Sequence, residues 1–343
     1  MNTIRFGIAG CGMIADWHAQ SILHVEGAEL VGASSRNPKS RDAFCLKYGI
    51  KPFESYEAML KDPSVDAICI CTPSGLHASM AVQAAQAGKH IVVEKPMAIT
   101  TAECDQMIEA CEKYNVLLSV IFQSRYSKPF RQLKNAVDKG WLGRMTYGDV
   151  YMKFIRDPAY YTGSTWKGTW NMDGGGALMN QGIHGVDLLL YLMGDVKSVY
   201  GHAKTLVHDI ETDDTTSAVV EYKSGALGII QASTSVYPGV PRKIEISGNR
   251  GTVVVEEDVI TSWDIKDMKV PEDVIVTKND DFSAADPSAF TIEGHVNQFT
   301  DIVNSFRQGK RPFVDQYEGK RSVELVCAVY DSSKKGIRID FDR

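Results

Sequence analysis

The sequence predicts an α/β fold built from two successive sheets of different character. In the first 122 residues, short apolar strands alternate with helices, beginning TIRFGIAG, MIADWHAQSILHV and AELVGASS. Repeated βα units with continuously apolar strands are typical of a parallel sheet covered by helices on both faces. Later strands are longer and alternate apolar with polar residues, as in RMTYGDVYMKFIR and GTVVVEED. That pattern favours a large, open, mostly antiparallel sheet.

The change of pattern predicts two domains, residues 1–122 and residues 123–343. A chain of 343 residues is also long for a single hydrophobic core. Two predicted helices, HVNQFTDIVNSFRQG and EGKRSVELVCAVYDSSKKG, end the chain. Whether the last helix packs back on the first domain is left open.

Composition excludes several function classes. The net charge of −6 and the absence of a basic run give no support to nucleic-acid binding. The apolar runs are too short to span a membrane, and MNTIRFGIAG carries no export signal, so a cytoplasmic location is expected. The seven cysteines read as small core residues in a reducing compartment, and no metal site is expected.

A glycine-rich turn joins the first strand to the first helix. Gly10 permits the tight turn, Gly12 lets the backbone approach a pyrophosphate, and Ala15 lets helix and strand pack closely. At the head of a series of βα units, this motif predicts a Rossmann domain that binds a nicotinamide dinucleotide. The predicted pyrophosphate-binding residues are Gly10, Gly12, Met13, Ile14 and Ala15.

The end of the second strand bears on which dinucleotide binds. NAD-preferring sites usually place Asp or Glu there, about 20 residues past the glycines. This chain instead has Ser35 and Arg36, with Lys39 and Arg41 nearby. Because arginine pairs well with a 2′-phosphate, we predict NADP(H), with NAD(H) as the alternative if the loop is merely basic and exposed.

The stretch DGGGALMNQGIHGVDLLLYLMG predicts a break followed by a strongly apolar helix. Asn180, His184, Asp187 and Tyr191 recur at intervals of three or four and fall on one stripe of that helix. A stripe without Lys, Arg or Glu on so apolar a helix favours a functional site over a solvated face. Asp187 could orient the imidazole of His184 or satisfy a buried contact elsewhere.

Two loops follow the fourth and fifth strands: Cys71-Thr72-Pro73-Ser74-Gly75-Leu76-His77 and Glu94-Lys95-Pro96. Open α/β sheets bind ligands at the carboxyl ends of their strands, where both loops lie. Together with GCGMIA, GGGALMNQGIH, the WKGTWNMDGGG loop and the tail VDQYEGKRSVELVCAVYDSSKKG, they resemble the glucose–fructose oxidoreductase/inositol dehydrogenase (Gfo/Idh/MocA) family. The resemblance covers essentially the whole chain.

This resemblance implies a reaction and an assembly. Lys95 would sit by the nicotinamide and polarise the reacting oxygen, and His184 would exchange a proton with the substrate hydroxyl, with Asn180 beside it. The glycines before the helix would let the chain turn close to the cofactor. The open sheet would mediate a homodimer or homotetramer. Further cofactor contacts are expected from Ser35, Arg36, Thr72, Pro73, Ser74, His77, Glu94, Lys95 and Gln123.

The sequence departs from the family pattern at two positions. Many members carry Asp at the position of Asn180, and an amide cannot share negative charge with an imidazolium. The Asn-Gln form resembles the branch that acts on nucleotide-linked or modified sugars. The usual Trp-Arg before the glycines is Trp166-Lys167 here, which removes a bidentate fork.

The predicted function is therefore an NAD(P)-dependent dehydrogenase or reductase of a sugar, polyol or sugar derivative. Aromatic and hydrogen-bonding side chains suit a carbohydrate, although they would also serve as ordinary packing at a domain junction. Alternatives are a ligand-sensing protein without turnover, which has no need of both Lys95 and His184, and a glycosidase that recycles NAD in place. The predicted substrate residues are Lys95, Arg125, Tyr126, Lys153, Trp166, Lys167, Asn180 and His184, with Gln123, Tyr160 and Tyr161 nearby.

Overall fold

The computed structural model describes residues 3–277 and 292–341. These residues divide into two compact units, one formed by 3–123 with 292–320 and the other by 124–277 with 321–341. The first division thus falls after Gln123, next to the predicted boundary at 122/123, and a later segment returns to the first unit. No helix in the described part of the chain is long and apolar enough to cross a membrane.

The first unit contains a six-stranded, wholly parallel sheet in the order β3-β2-β1-β4-β5-β6. This is the strand order of a Rossmann fold, so the predicted parallel domain is confirmed. The strands are β1 (Ile4–Ala9), β2 (Ala28–Ser34), β3 (Lys51–Phe53), β4 (Ala67–Ile70), β5 (His90–Val93) and β6 (Leu118–Val120). The helices are α1 (Met13–Leu23), α2 (Pro38–Tyr48), α3 (Tyr56–Lys61), α4 (His77–Gln86), α5 (Thr101–Lys113) and, from later in the chain, α9 (Glu293–Gln308).

Local sequence signals set the ends of these helices. Thr100 caps α5 in a reciprocal capping box with Glu103. The Asn37 side chain accepts the first amides of α2, and Gly49 ends that helix in the left-handed conformation. Residues directly next to each helix therefore set these ends, because capping chemistry is local.

Helix α9 completes the core of the first unit. Phe299 on α9 meets Phe6 of β1 edge-to-face, with ring centroids 5.9 Å apart. Ile302, Val303 and Phe306 are buried in the same cluster. The first turn of α10 (Gln316–Lys335), up to Lys320, belongs to this unit as well. The final part of the chain therefore supplies both units.

The second unit contains an eight-stranded sheet in the order β13-β12-β11-β7-β10-β9-β8-β14. Only the β7–β10 pair is parallel, which confirms the mostly antiparallel sheet. The strands β13 and β14 were not predicted. The strands are β7 (Met145–Lys153), β8 (Val196–Lys204), β9 (Thr215–Tyr222), β10 (Leu227–Ser233), β11 (Lys243–Gly248), β12 (Gly251–Glu256), β13 (Val259–Ile265) and β14 (Ile339–Asp340). The helices are α6 (Lys128–Asp138), α7 (Ala159–Thr162), α8 (Ile183–Met193) and the rest of α10.

The two faces of this sheet differ. One face packs closely under α8, where a side chain at Gly185 would meet Met152 and Val150 of β7. The other face carries exposed Tyr147, Tyr200 and Val219, together with Leu227. Within residues 3–277 and 292–341, this face of the sheet therefore leaves large apolar side chains exposed.

Candidate active site

The glycine turn after β1 has the shape that a dinucleotide requires. Gly10 has φ +95°, and a Cβ there would lie 2.5 Å from the Cys71 carbonyl oxygen, so only glycine fits. A Cβ at Gly12 would meet nothing within 4 Å, which leaves open space in front of the N-terminus of α1. Ala15 is fully buried against the sheet. These residues fit a bound pyrophosphate.

Two arginines near the end of β2, Arg36 and Arg41, differ in their surroundings. Arg36 is exposed, whereas Arg41 pairs with Asp42 at 2.7 Å and donates to the Phe53 carbonyl. The Asn37 side chain is used as the cap of α2. Arg36 is therefore the guanidinium of this loop that can meet a ligand phosphate.

Glu94, which precedes Lys95, is turned into the first unit. It is 5% exposed, and its Oε1 lies 2.8 Å from His18 Nε2, while Oε2 accepts the Lys95 N–H at 3.1 Å. Burial opposes ionisation, but the hydrogen bond and positive charge of His18 outweigh it and lower the pKa of Glu94. Lys95 itself is half-buried. His18 was not predicted, although it lies on the buried stripe of α1 with Ala15, Ala19 and Ile22.

His77 joins the two loops that follow β4 and β5. Its Nδ1 lies 2.8 Å from the Pro96 carbonyl oxygen and its Nε2 lies 2.9 Å from that of Thr72. The ring is 1% exposed, and burial lowers its pKa. His77 thus holds the two loops together, and its predicted contact with the cofactor stays a prediction. Ser74 is buried too, while Thr72 and Pro73 are half-buried.

The glycine run before the predicted catalytic helix is required by its own unit. Buried Asp213 accepts the N–H groups of Gly176 and Leu178 at 2.8 and 3.0 Å. A Cβ at Gly176 would overlap the Asp213 carbonyl, and one at Gly175 would overlap the Tyr330 hydroxyl. Internal packing of the second unit therefore requires glycine at 175 and 176, and the close approach of this segment to the cofactor stays a prediction.

The helix after the glycines begins with a π-helical turn, Ala177–Gly182, before α8. A π turn holds an additional residue, so the even spacing assumed for a single stripe is interrupted. Asn180 is 8% exposed and donates from Nδ2 to the carboxylate of Asp173, whereas His184 is half-buried. The predicted stripe therefore begins in a π turn at Asn180 and continues along a regular α-helix from His184 to Tyr191.

Asp187 binds Arg125. The guanidinium donates from Nε to Oδ2 at 2.8 Å and from Nη2 to Oδ1 at 2.7 Å, and it lies 5.1 Å from the centre of the Tyr191 ring. Both side chains are 1% exposed. Of the two open possibilities for Asp187, the structure favours the buried contact. Arg125 is thus a buried partner of Asp187, and its contact with substrate stays a prediction.

A polar cluster surrounds Asn180. Gln181 donates from Nε2 to Asn180 Oδ1 at 2.9 Å and to the Tyr160 hydroxyl at 2.8 Å, and its Oε1 accepts from Arg156 at 2.6 Å. Lys167 Nζ lies 3.6 Å from the centre of the Tyr160 ring. Burial raises the pKa of Tyr160, so it stays a phenol. The cluster joins predicted residues to Arg156 and Gln181, which were not predicted.

The remaining predicted substrate residues are dispersed. Tyr126 is 8% exposed, and Tyr161 is buried with its hydroxyl 2.9 Å from that of Thr234. Lys153 and Trp166 are half-buried. Asp173 was missed, although it directly precedes the glycine run and accepts the Gly168 N–H at 2.8 Å.

None of the seven cysteines forms a disulfide. Burial raises the pKa of Cys11, in the glycine turn, to about 12, so it remains a thiol. Among residues 3–277 and 292–341, no group of His, Cys, Asp and Glu side chains is arranged to hold a metal ion.

Comparison with known proteins identifies the family. Residues 4–122 match the oxidoreductase family with an NAD-binding Rossmann fold, and residues 130–254 match the Gfo/Idh/MocA C-terminal domain. A solved structure of the WlbA dehydrogenase from Bordetella pertussis, in complex with NADH and UDP-GlcNAcA, is 36% identical, with a TM-score of 0.90 and all of both chains covered. The WlbA protein of Chromobacterium violaceum is 32% identical over 99% of this chain and 96% of that one, with a TM-score of 0.88.

A more distant relative points to the same class of reaction. The myo-inositol 2-dehydrogenase of Thermotoga maritima is 27% identical over 98% of this chain and 99% of that protein. The predicted enzyme class, an NAD(P)-dependent dehydrogenase or reductase acting on CH–OH groups, is confirmed by these relatives. The chain therefore belongs to the Gfo/Idh/MocA family of oxidoreductases.

Proposed function

We propose that this protein is an NAD(P)-dependent dehydrogenase that oxidises a CH–OH group of a nucleotide-linked sugar acid. The observation that carries this choice is the cluster around Asn180, where an Asn-Gln pair is fixed by Asp173 and Arg156 beside half-buried His184. The WlbA proteins, with 36% and 32% identity, support the same class of substrate. Residues 1–122 are assigned to the cofactor and residues 123–343 to the substrate and to assembly.

Each reactive side chain has a defined task in this proposal. The nicotinamide, when bound, accepts the hydride. The Lys95 ammonium holds the substrate oxygen and stabilises negative charge that develops on it. His184 takes the hydroxyl proton, because a neutral imidazole carries a nitrogen that can accept one. The amide of Asn180, held by Asp173, hydrogen-bonds the substrate.

For the cofactor we propose a preference for NADP(H), carried by exposed Arg36 at the end of β2. A 2′-phosphate would find a guanidinium there and no carboxylate. The WlbA structures hold NADH, so direct comparison of the two dinucleotides is the required test.

For the assembly we propose a homodimer or homotetramer joined through the open face of the large sheet. Tyr147 and Leu227 lie opposite each other on adjacent strands, and Val219 lies opposite Tyr200; all four are exposed. An exposed apolar patch of this kind is typical of a protein interface. Light scattering of the wild type and of Val219→Lys should show an oligomer that the substitution weakens.

A polyol dehydrogenase is the second candidate, favoured by the similarity to myo-inositol 2-dehydrogenase. The two are separated by measuring reduced nicotinamide with NAD⁺ and NADP⁺ against UDP-GlcNAcA, UDP-N-acetylglucosamine, myo-inositol and scyllo-inositol. Turnover confined to the nucleotide sugars supports our proposal, and turnover confined to the inositols replaces it with the second candidate.

A further inference from the structure

Arg156 lies where β7 leaves the sheet, on a backbone that is fixed to the segment following β10. Phe154 N–H donates to the Ser233 carbonyl at 2.9 Å, and Arg156 N–H donates to that of Thr234 at 2.8 Å. Because β7 and β10 are parallel, this is the carboxyl end of both strands. The Arg156 side chain therefore extends from a rigid base.

The Arg156 guanidinium is held by hydrogen bonds to uncharged oxygen atoms. One amino group donates to Gln181 Oε1 at 2.6 Å and the other to the Ile155 carbonyl at 2.9 Å. The group lies 5.7 Å from the centre of the Tyr160 ring. Among residues 3–277 and 292–341, Arg156 forms no ion pair with a carboxylate. Of its five N–H donors, three are left for a ligand.

Gln181 ties this guanidinium to the proposed reaction centre. Its oxygen can only accept, so it faces Arg156, and its nitrogen can only donate, so it faces Asn180 and Tyr160. Arg156 is thereby fixed two hydrogen bonds from the Asn180 amide.

The charges near this cluster favour an anion. Lys167 adds a second cation against Tyr160. Two acidic side chains of this segment are Asp173, whose oxygens accept from Asn180 and Gly168, and exposed Asp157, which accepts the Ala159 N–H. Both carboxylates are engaged locally, so neither cancels Arg156 by direct contact.

We propose that Arg156, held by Gln181 and assisted by Lys167, binds the carboxylate of the sugar acid and selects it over the corresponding neutral sugar. The inference rests on the proposed function and names the part of the substrate that this side of the site binds. A planar guanidinium fork matches a carboxylate with two parallel hydrogen bonds. A diphosphate offers the same anionic chemistry, so the test must separate the two sources.

The test compares UDP-GlcNAcA, which has both anions, with UDP-N-acetylglucosamine, which has only the diphosphate. Arg156→Gln should lower the acid-to-neutral ratio of kcat/KM about 10- to 100-fold, mostly through KM. Arg156→Lys, which keeps the charge without the fork, should lie between. Arg144→Gln is the matched control, because exposed Arg144 lies before the opposite end of β7, and it should leave the ratio unchanged.

The affinity of each variant for substrate can be measured even where its turnover is too slow to detect. Calorimetric affinity of UDP-GlcNAcA for the protein with NADH should weaken in Arg156→Gln, as should that of N-acetylglucosaminuronate without its nucleotide. An equal loss for the acid and the neutral nucleotide sugar would assign Arg156 to the diphosphate and overturn the inference. If the wild type turned over only neutral sugars, the carboxylate subsite would be wrong although the protein would still be a dehydrogenase. If the wild type turned over no sugar in the full panel, the proposed function itself would be wrong.

Discussion

Both units bury a carboxylate next to the residue proposed to do chemistry, but they neutralise it differently. Glu94 precedes Lys95 and shares a 2.8 Å contact with His18, whereas Asp187 follows His184 by one turn and binds Arg125 through two hydrogen bonds. Arginine is permanently charged and binds a carboxylate through a planar fork of donors. The second unit therefore holds its carboxylate through two hydrogen bonds from a guanidinium, whereas the first unit holds its carboxylate beside a single imidazole nitrogen.

The largest expected loss of stability comes from breaking the Asp187–Arg125 pair. Asp187→Asn leaves the Arg125 charge buried and uncompensated, which should cost about 3–5 kcal/mol of unfolding free energy. The control is Asp195→Asn, since Asp195 pairs with Arg321 while its side chain is 61% exposed, and it should change stability by less than about 1 kcal/mol. Chemical denaturation measures both. If both variants lost similarly little unfolding free energy, the buried Asp187–Arg125 pair would not stabilise the protein more than the exposed Asp195–Arg321 pair.

The next effect concerns turnover instead of stability. Lys95→Met removes the ammonium that stabilises charge on the substrate oxygen, so kcat should fall on the order of 10²- to 10³-fold or more. Nucleotide affinity, measured by fluorescence of the bound reduced cofactor, should stay nearly the same. Lys113→Met, at an exposed position on α5, serves as the control. Comparable rates in wild type and Lys95→Met would remove the catalytic assignment.

The first unit should also be the acid-sensitive one. His295 on α9 lies beside His18, with ring centroids 6.3 Å apart, and burial lowers its pKa to about 4 from 6.5. Between those pH values the unfolded chain binds a proton that the folded chain excludes, so stability is complete above pH 6.5 and falls as the pH drops towards 4. The loss should approach about 3 kcal/mol.

His295→Leu should remove most of that pH dependence. His24→Gln changes an exposed histidine at the C-cap of α1 and should keep the pH dependence. Chemical denaturation of the wild type and both variants at several pH values measures this dependence. The lowered pKa of Glu94 adds a further loss at lower pH, because a carboxylate stabilised in the folded state must be protonated there. If His295→Leu lost as much stability at low pH as the wild type, the acid sensitivity would not come from His295.

The smallest effect concerns cofactor choice. Arg36→Ala should weaken NADPH binding by about 1.5–3 kcal/mol through loss of a charge-assisted hydrogen bond, and NADH binding far less. Titration with both reduced cofactors provides its own control. Equal losses would remove the 2′-phosphate argument.

The sequence predicted those features that local chemistry determines. The βα series and the glycine-rich turn before α1 are written in short stretches of the sequence. The return of α9 to β1 did not follow, because the contact of Phe299 with Phe6 joins residues almost 300 positions apart. Likewise, helical periodicity placed Asp187 with His184, but only the fold brings Arg125 to it.

The candidate site was predictable in part for the same reason. Asn180 and His184 are marked by a polar pattern within an apolar helix, whereas the π-helical turn that contains Asn180 leaves no trace in that pattern. Asp173, Gln181 and Arg156 gain meaning only through hydrogen bonds made after folding. Arginine at the end of a strand is by itself an ordinary surface residue.

The most direct test of the central claim is formation of reduced nicotinamide from UDP-GlcNAcA by the wild-type protein and by Lys95→Met, with NAD⁺ and NADP⁺ in separate assays. We expect the wild type to turn over this sugar acid faster than the inositols and Lys95→Met to be nearly inactive while still binding the cofactor. Inactivity of the wild type towards every nucleotide sugar, or equal rates in the two proteins, would contradict the account.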